Sequence, residues 1–519
     1  MKATYRITVS LGLLALFALG QPALEPQGNC RIATNLAILG GTSTLTLDGP
    51  AGAPFSLAFD TIPGNLPVPG VGTIWLGFTP GLTYLVNGIF MPAPPLPASG
   101  QFSLSVTWPA SPALDGALFF VQAGAGTSAG IALSNAVSVQ TGLPDSYHPT
   151  LGLMAAARAF HRVVPLQNGA LMVIGGGAGA FLSPAATDTC ERYDPYHRTF
   201  QADTPMNAAR TLHRATGLAD GRVFVSGGSA TLGAGWNSTE LYDPATQAWT
   251  AGPNLSANRI AHTATLLDDG RVLLCGGASN FMLSSPTSTN YMPIFSAAQA
   301  TAEIFDPVTG TITPTANLMS SARIGGAAVK LPSGKVLITG GVRGGFSFFG
   351  IATPTYAQFE DLFDPATNSF TTVPALAQPR FGHTLNVRGD GKVAAIGGAG
   401  GALVISLGTS EIFTESGGSG FWTGGPNLPG SASTALHTAV TLADGSIYVA
   451  GGAIGALGAF NPIDTAWRMT STGALSTLSL LPGPVQAHTA HLTPAGVVLI
   501  GGSDTIQSVD TAQIWTPVL

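Results

Sequence analysis

Seven Gly-Gly doublets, each closing the same strand–turn–strand segment, constrain this 519-residue chain more than any other feature. They stand at Gly175-Gly176, Gly227-Gly228, Gly276-Gly277, Gly340-Gly341, Gly397-Gly398, Gly451-Gly452 and Gly501-Gly502. Six of them follow a turn glycine by six residues (Gly169, Gly221, Gly270, Gly334, Gly391, Gly445), and the seventh follows Gly496 by five. Five of those turn glycines come directly after Asn or Asp, as in Asn168-Gly169 and Asp269-Gly270. Such dipeptides predict a two-residue hairpin turn with positive φ at both positions. The strands beside them, for example Arg222-Val-Phe-Val-Ser and Lys335-Val-Leu-Ile-Thr, are apolar almost throughout, as strands buried on both faces are.

A second signature follows the doublets. Glu-x-aromatic-Asp-Pro, with a large apolar residue five positions beyond the proline, spans Glu191–Pro195 with Phe200, Glu240–Pro244 with Trp249 and Glu303–Pro307 with Ile312. Asp361–Pro365 with Phe370 continues the series, Glu411-Ile-Phe413-Thr-Glu keeps Trp422, and Phe460-Asn461-Pro462 with Trp467 reads as a partial copy. Asp-Pro starts a β-turn, so a third strand is expected to turn there into a fourth. Four strands per repeat at a period of about 50 residues, with the doublet and the spaced aromatics, resemble the kelch family of β-propellers over roughly residues 146–519. The resemblance implies an all-β fold with a seven-bladed propeller. The last copy stops at Gln513-Ile-Trp515-Thr-Pro517-Val-Leu519, with no room for its own fourth strand. Tyr147–Met154 precedes Arg158 as Trp249–Leu255 precedes Arg259, so it is expected to supply the missing outer strand and close the ring.

Residues 30–143 lie outside the repeat. Runs such as Thr44-Leu-Thr-Leu, Phe55-Ser-Leu-Ala-Phe, Thr73-Ile-Trp-Leu, Phe102-Ser-Leu-Ser-Val and Leu118-Phe-Phe-Val-Gln, between Gly and Pro clusters, predict a small β-sandwich-like domain. It carries only Arg31, Asp48, Asp60 and Asp115 as charges, and a spacer role is favoured over a binding one. Residues 1–20 read as an export signal: Lys2 and Arg6 precede the apolar run Leu11–Leu19, and Ala18 and Gly20 suit a signal peptidase. The run is about half of what a membrane span needs. A secreted, periplasmic or cell-surface protein, without a transmembrane anchor once the signal is removed, is expected.

With 9% charged residues, a net charge of -6 and four lysines, the chain lacks the basic stripe that nucleic acid requires. Of Cys30, Cys190 and Cys275, the last sits in an apolar strand, which leaves Cys30–Cys190 as the one disulfide to test. No CxxC, HxxxH or HExxH spacing is present.

Histidine opens the first strand in six repeats (His161, His213, His262, His383, His437, His488), with Gly326 in the fourth. Arg stands three residues earlier in five (Arg158, Arg210, Arg259, Arg323, Arg380). First strands line a propeller axis, so both sets are expected near one mouth of the channel. A feature repeated around the ring is better explained by contacts between blades than by catalysis, which needs asymmetry. The secreted copper radical oxidases, of the galactose oxidase and glyoxal oxidase type, are similar in layout, with an N-terminal β domain before a seven-bladed kelch propeller. That resemblance implies copper held by a Tyr-His pair at this strand start, a further His and a second Tyr crosslinked to Cys. Here the residues before the histidines are Phe160, Leu212, Ala261, Gly382, Leu436 and Ala487, Cys275 is mid-strand, and the C-terminal domain that brings the further His is not expected. No metal, cofactor or catalytic residue is expected.

Asymmetry lies in two connections between second and third strands. One carries Phe281, Tyr291 and Phe295, the other Arg343, Phe346, Phe348, Phe349 and Tyr356. Exposed aromatics with an arginine are the composition of interface hot spots, although packing on the N-terminal domain is equally open. The expected function is that of a monomeric, exported kelch protein that binds a protein or glycan through one propeller face without catalysis. A carbohydrate-active propeller enzyme of mutarotase type and a structural adhesion component are the alternatives.

Overall fold

The computed structural model describes residues 31–517, apart from 35–36, 39–41, 61–62, 69–71, 77–82, 88–94, 108–110, 128–129, 180–184, 196, 231–232, 284–292, 349–350, 457–458, 494–495 and 506. The chain is all-β, and its repeat folds into four-stranded antiparallel sheets of the kind a β-propeller stacks. Seven such sheets are present among the described residues. Six are built from consecutive strands of one repeat, for example Thr263–Leu266, Val272–Cys275, Ala302–Asp306 and Thr311–Pro314 in the third. In the seventh, Ser146–Pro149 pairs with Ala512–Thr516 and so joins the two ends of the repeat region, with Tyr147 opposite Trp515. The second strands, such as Leu171–Ile174 and Val336–Thr339, are buried along their whole length between neighbouring sheets. Their hydrophobic clusters span two repeats each. One holds Val223 and Tyr242 with Met172 and Ile174, and another holds Tyr193 with Val498 and Ile514, uniting the first and seventh repeats.

Both signatures have local causes, and two differ from expectation. The Asp-Gly turns are not of the type with two positive φ values: Gly169, Gly221 and Gly270 stand at +86°, +92° and +86°, while Asn168, Asp220 and Asp269 keep negative φ. The N–H of Gly169 donates to Leu166 O at 2.9 Å, closing a four-residue turn whose last residue alone is left-handed. The Asp side chain instead accepts the N–H two residues on, from Arg222 to Asp220 and from Arg271 to Asp269, each at 3.0 Å. The second difference is in the sixth repeat. Phe460-Asn461-Pro462 belongs to a separate two-stranded hairpin (Ala453–Ala456 with Ala459–Pro462), and Trp467 lies on the third strand opposite Val449. The Asp-Pro turn is absent from this repeat, whose turn uses Gly473 at +101°. Elsewhere the spaced aromatics meet across the third and fourth strands: Tyr193–Phe200, Tyr242–Trp249, Phe363–Phe370 and Phe413–Trp422 have ring centroids 5.0–5.1 Å apart.

Before the repeat, Arg31–Thr34, Thr42–Asp48 and Gln101–Thr107 form one sheet, and Ala37–Ile38, Gly130–Gly142, Leu118–Thr127, Phe55–Asp60 and Thr83–Asn87 form another. Leu45 and Leu47 of the first share a core with Phe55, Leu57, Val121 and Ala123 of the second. No helix among the described residues is long and apolar enough to cross a membrane. Cys190 and Cys275 are buried, burial pushing each thiol up to about 12, and Cys30 lies outside the described residues.

Candidate functional site

Among the described residues, the end of each sheet that carries the doublet, the start of the first strand and the second-to-third connection is where the repeats differ most in sequence length. Its constant part is a set of clasps. The second glycine of each doublet donates its N–H to the residue three before the histidine position of the next repeat. Gly176 to Arg210 O is 2.9 Å, Gly228 to Arg259 O 2.8 Å, Gly277 to Arg323 O 2.9 Å and Gly341 to Arg380 O 2.8 Å. Gly398 to Thr434 O and Gly452 to Val485 O follow at 2.8 Å, and Gly502 of the seventh repeat reaches back to Arg158 O of the first at 2.9 Å. Where the next repeat has a histidine, the first glycine of the doublet lies under its imidazole; Gly276, followed by Gly326, instead abuts Arg323 O. A Cβ on Gly175, Gly397, Gly451 or Gly501 would stand 2.8–3.0 Å from the Cε1 of His213, His437, His488 or His161. The doublet is glycine because nothing larger fits there.

The five arginines do not line a channel mouth. Each is buried between the first and third strands of its own repeat, donating to the carbonyl of its first doublet glycine, for example Arg259 Nη1 to Gly276 O at 2.7 Å. Each is also paired with the repeated acid: Arg158–Glu191 at 2.7 Å, Arg210–Glu240 at 3.0 Å, Arg259–Glu303 at 2.8 Å and Arg380–Glu411 at 2.8 Å. Arg323 is held by both Glu360, at 2.9 Å, and Asp361, at 2.5 Å. The same acids accept the N–H three residues before the arginine, as Glu303 does from Ser256 at 2.8 Å. Buried pairs are sustained by further hydrogen bonds to their remaining lone pairs and protons, and these have them apart from Arg323 Nε.

The histidines are buried too, and desolvation holds all six well below the ordinary imidazole range, His437 and His488 at about 3. They are neutral. Four bond a neighbouring hydroxyl through Nε2: His262 to Ser226 and His383 to Thr339 at 2.8 Å, His437 to Thr384 at 3.0 Å and His161 to Thr489 at 3.2 Å. His213 and His488 have no partner for either ring nitrogen among the described residues. The residues just before the histidine position (Phe160, Leu212, Ala261, Gly325, Gly382, Leu436, Ala487) all take left-handed φ of +53° to +64°. Their N–H groups bond the carbonyl of the equivalent residue in the repeat before: Ala261 to Leu212, Gly325 to Ala261, Gly382 to Gly325, Leu436 to Gly382, Ala487 to Leu436 and Phe160 to Ala487, at 2.9–3.3 Å.

Against this regular frame stand the variable parts. In the third repeat Ala278–Leu283 and Pro293–Ala298 form a hairpin that also pairs with Gly233–Ala234 of the second, placing Phe281 opposite Phe295 in register. In the fourth, Val342–Phe348 pairs with Ile351–Tyr356, with Phe346 opposite Thr353 and Phe348 opposite Ile351. Arg343 is exposed. Tyr356 is half-buried and donates its hydroxyl to Gly401 O of the fifth repeat at 2.9 Å. Tyr291 and Phe349 lie outside the described residues.

Sequence reasoning missed a second asymmetry. The residue after the histidine position is Thr263, Ala327, Thr384, Thr438 and Thr489 in five repeats but Arg162 and Arg214 in the adjacent first and second. Arg162 Nε donates to His213 O at 3.0 Å and Arg214 Nε to His262 O, and among the described residues neither guanidinium has an acidic partner. Burial brings Arg162 down to about 10, and burial with the charge of Arg162 holds Arg214 well below its usual value. A break in the consensus at one period was the available signal.

The fold and this frame define a kelch-like β-propeller. No protein-family model matches the chain, and no curated protein matches it in sequence. Among solved structures, a fungal alcohol oxidase of the AA5 family, determined in complex with copper, is 18% identical over 72% of this chain and 76% of its own, with a TM-score of 0.54. A structure of YjhT is 16% identical over 59% of this chain and 95% of its own, with a TM-score of 0.44. The likeness to the oxidase supports a fold of galactose-oxidase type and nothing finer.

Copper does not fit the residues described. The side chains before the histidines are Phe, Leu, Ala or none, and each imidazole is turned onto the doublet of the preceding repeat. Among the described residues no three His, Cys, Asp or Glu side chains come together as a metal site would require.

Proposed function

We propose that this chain is an exported kelch protein whose seven four-stranded sheets close into a seven-bladed propeller behind a small sandwich-like domain, and that it binds a protein or glycan, without catalysis, through the doublet face. One observation carries this reading. Two adjacent repeats carry the longest paired second-to-third connections on that face (Ala278–Ala298 and Val342–Tyr356), whereas the repeated Arg, Glu and His side chains are consumed by packing. A rigid frame with irregular, aromatic-bearing hairpins at one end is how scaffolds present recognition surfaces. Phe281, Tyr291, Phe295, Arg343, Phe346, Phe348, Phe349 and Tyr356 are the proposed contacts.

The test is a glycan array and a surface pull-down with the mature protein, repeated with the turn of each hairpin replaced by a short Gly-Ser link. Capture that is lost on shortening either hairpin, with the melting temperature kept, supports the reading. Hydrogen peroxide released from an alcohol or aldehyde by copper-supplemented protein would overturn it.

A further inference from the structure

We propose a second, independent site: Arg162 and Arg214, on the first strands of neighbouring repeats, together hold the oxyanion of a small ligand, a carboxylate or phosphate group. It stands whether or not the hairpins bind a partner.

The position they occupy has a visible ordinary use. Thr384 and Thr489, at the same place in the fifth and seventh repeats, bond the imidazole of the following repeat. Arg162 cannot do so by hydroxyl, and the histidine that follows it, His213, is left fully buried with both ring nitrogens unpartnered. Arg162 still bonds that repeat through Nε, to His213 O, and its Nη groups are additional to what this packing uses.

The charges are also uncompensated. The five buried arginines of the frame each face a carboxylate, whereas Arg162 and Arg214 are only partly buried and face none among the described residues. Arg162 and Arg214 each use only Nε on a backbone carbonyl, so the Nη donors of both forks remain for something else among the described residues. Two like charges on neighbouring strands repel, and the partial exposure of both arginines leaves their forks open to a small solute. A single oxyanion held by both relieves that repulsion, and the planar fork of arginine is matched to carboxylate and phosphate oxygens.

The surroundings agree. His161, His213 and His262 border the two strands, and His491 lies on the first strand of the seventh repeat, next to the first. All are held neutral by burial, with His491 at about 4, so they add no competing charge beside the two arginines. Across the sheets the matching positions of the fourth to sixth repeats are Ala327, Thr384 and Thr438, which carry no charge.

The experiment is a titration of the mature protein with sodium phosphate and, separately, sodium glucuronate, each against sodium chloride at equal ionic strength, read by calorimetry and by melting temperature. Saturable binding of either anion, weakened about tenfold or more in R162Q/R214Q and unchanged in R271Q, supports the site. A response to phosphate alone assigns a phosphorylated ligand, and a response to glucuronate alone an acidic sugar. No saturable response in the wild-type protein, or one retained by R162Q/R214Q, overturns the proposal. Should that double variant not fold, R162K/R214K keeps the charge but loses the fork, and full retention of affinity there counts against the forked geometry.

Discussion

The carbonyl of Arg158, at the start of the first repeat, accepts the N–H of Gly502, at the end of the seventh, at 2.9 Å. It is the same clasp that joins every other pair of neighbouring repeats, though its two residues are separated by nearly the whole repeat region. The glycine beside it should therefore be intolerant of substitution. G501A puts a Cβ 2.8 Å from both Arg158 O and His161 Cε1 at a φ of +58°. A loss of about 2 kcal/mol or more is expected from strain and overpacking together, measured as the shift of the urea midpoint. G52A, at a φ of +72° with open space around its Cβ, should lose only about 1 kcal/mol.

Breaking one buried ion pair should be worse than removing it whole. E303Q leaves Arg259, fully buried, without its counter-charge and is expected to cost about 3–5 kcal/mol. R259M/E303L removes both charges and should be clearly less damaging than the sum of the single changes. A double-mutant cycle in denaturant checks this, and additivity would remove the pairing from the account.

Stability should fall as the medium becomes acid. His437 and His488 have folded values near 3, below the ordinary 6.5. Below pH 6.5 the unfolded chain takes up protons that the folded chain refuses. Their stabilisation is therefore whole above about pH 6.5 and declines as pH falls toward 3. Each contributes a slope of about 1.4 kcal/mol per pH unit in that window. H488Q should flatten the stability profile between pH 4 and 6 by about one such slope; an unchanged profile would mean that His488 is not neutral in the fold.

Y356F removes the hydroxyl that reaches Gly401 of the next repeat. A loss of about 1 kcal/mol is expected, since the bond is half-buried. If Tyr356 also touches the proposed partner, the variant should lower affinity by more than the stability change explains, which a binding titration well below the melting temperature would separate.

Much of the frame was legible because it repeats. Gly340-Gly341 and its six equivalents can be read from the chain alone, since no other residue fits beneath an imidazole or within a clasp, and Tyr147 opposite Trp515 followed from the missing last strand. Asp269 was recognised as a turn residue with its backbone misassigned, because Asp-Gly serves two kinds of turn and only long-range register chooses between them. Trp467 was put on the wrong strand because the aromatic pattern is symmetric across the third-to-fourth hairpin. The frame arginines were placed in a channel because sequence gives the strand and not the direction of the side chain; Arg259 turns inward to Glu303. Arg162 and Arg214 escaped notice for the opposite reason. A search for what recurs passes over the positions that do not, and those are where an individual property of this chain would be written.

The clasp between Gly502 and Arg158 also changes what an end means in this protein. A linear row of repeats can shed its terminal unit and keep the remainder, because that unit has one neighbour. Here the first and seventh repeats hold one another, and the outer strand of the seventh, Ser146–Pro149, comes from ahead of the first. In the closed ring proposed above, peeling away either terminal repeat breaks two interfaces, as would removing one from the middle. Fraying has no cheap starting point, so truncation from either side should undo the array as a unit.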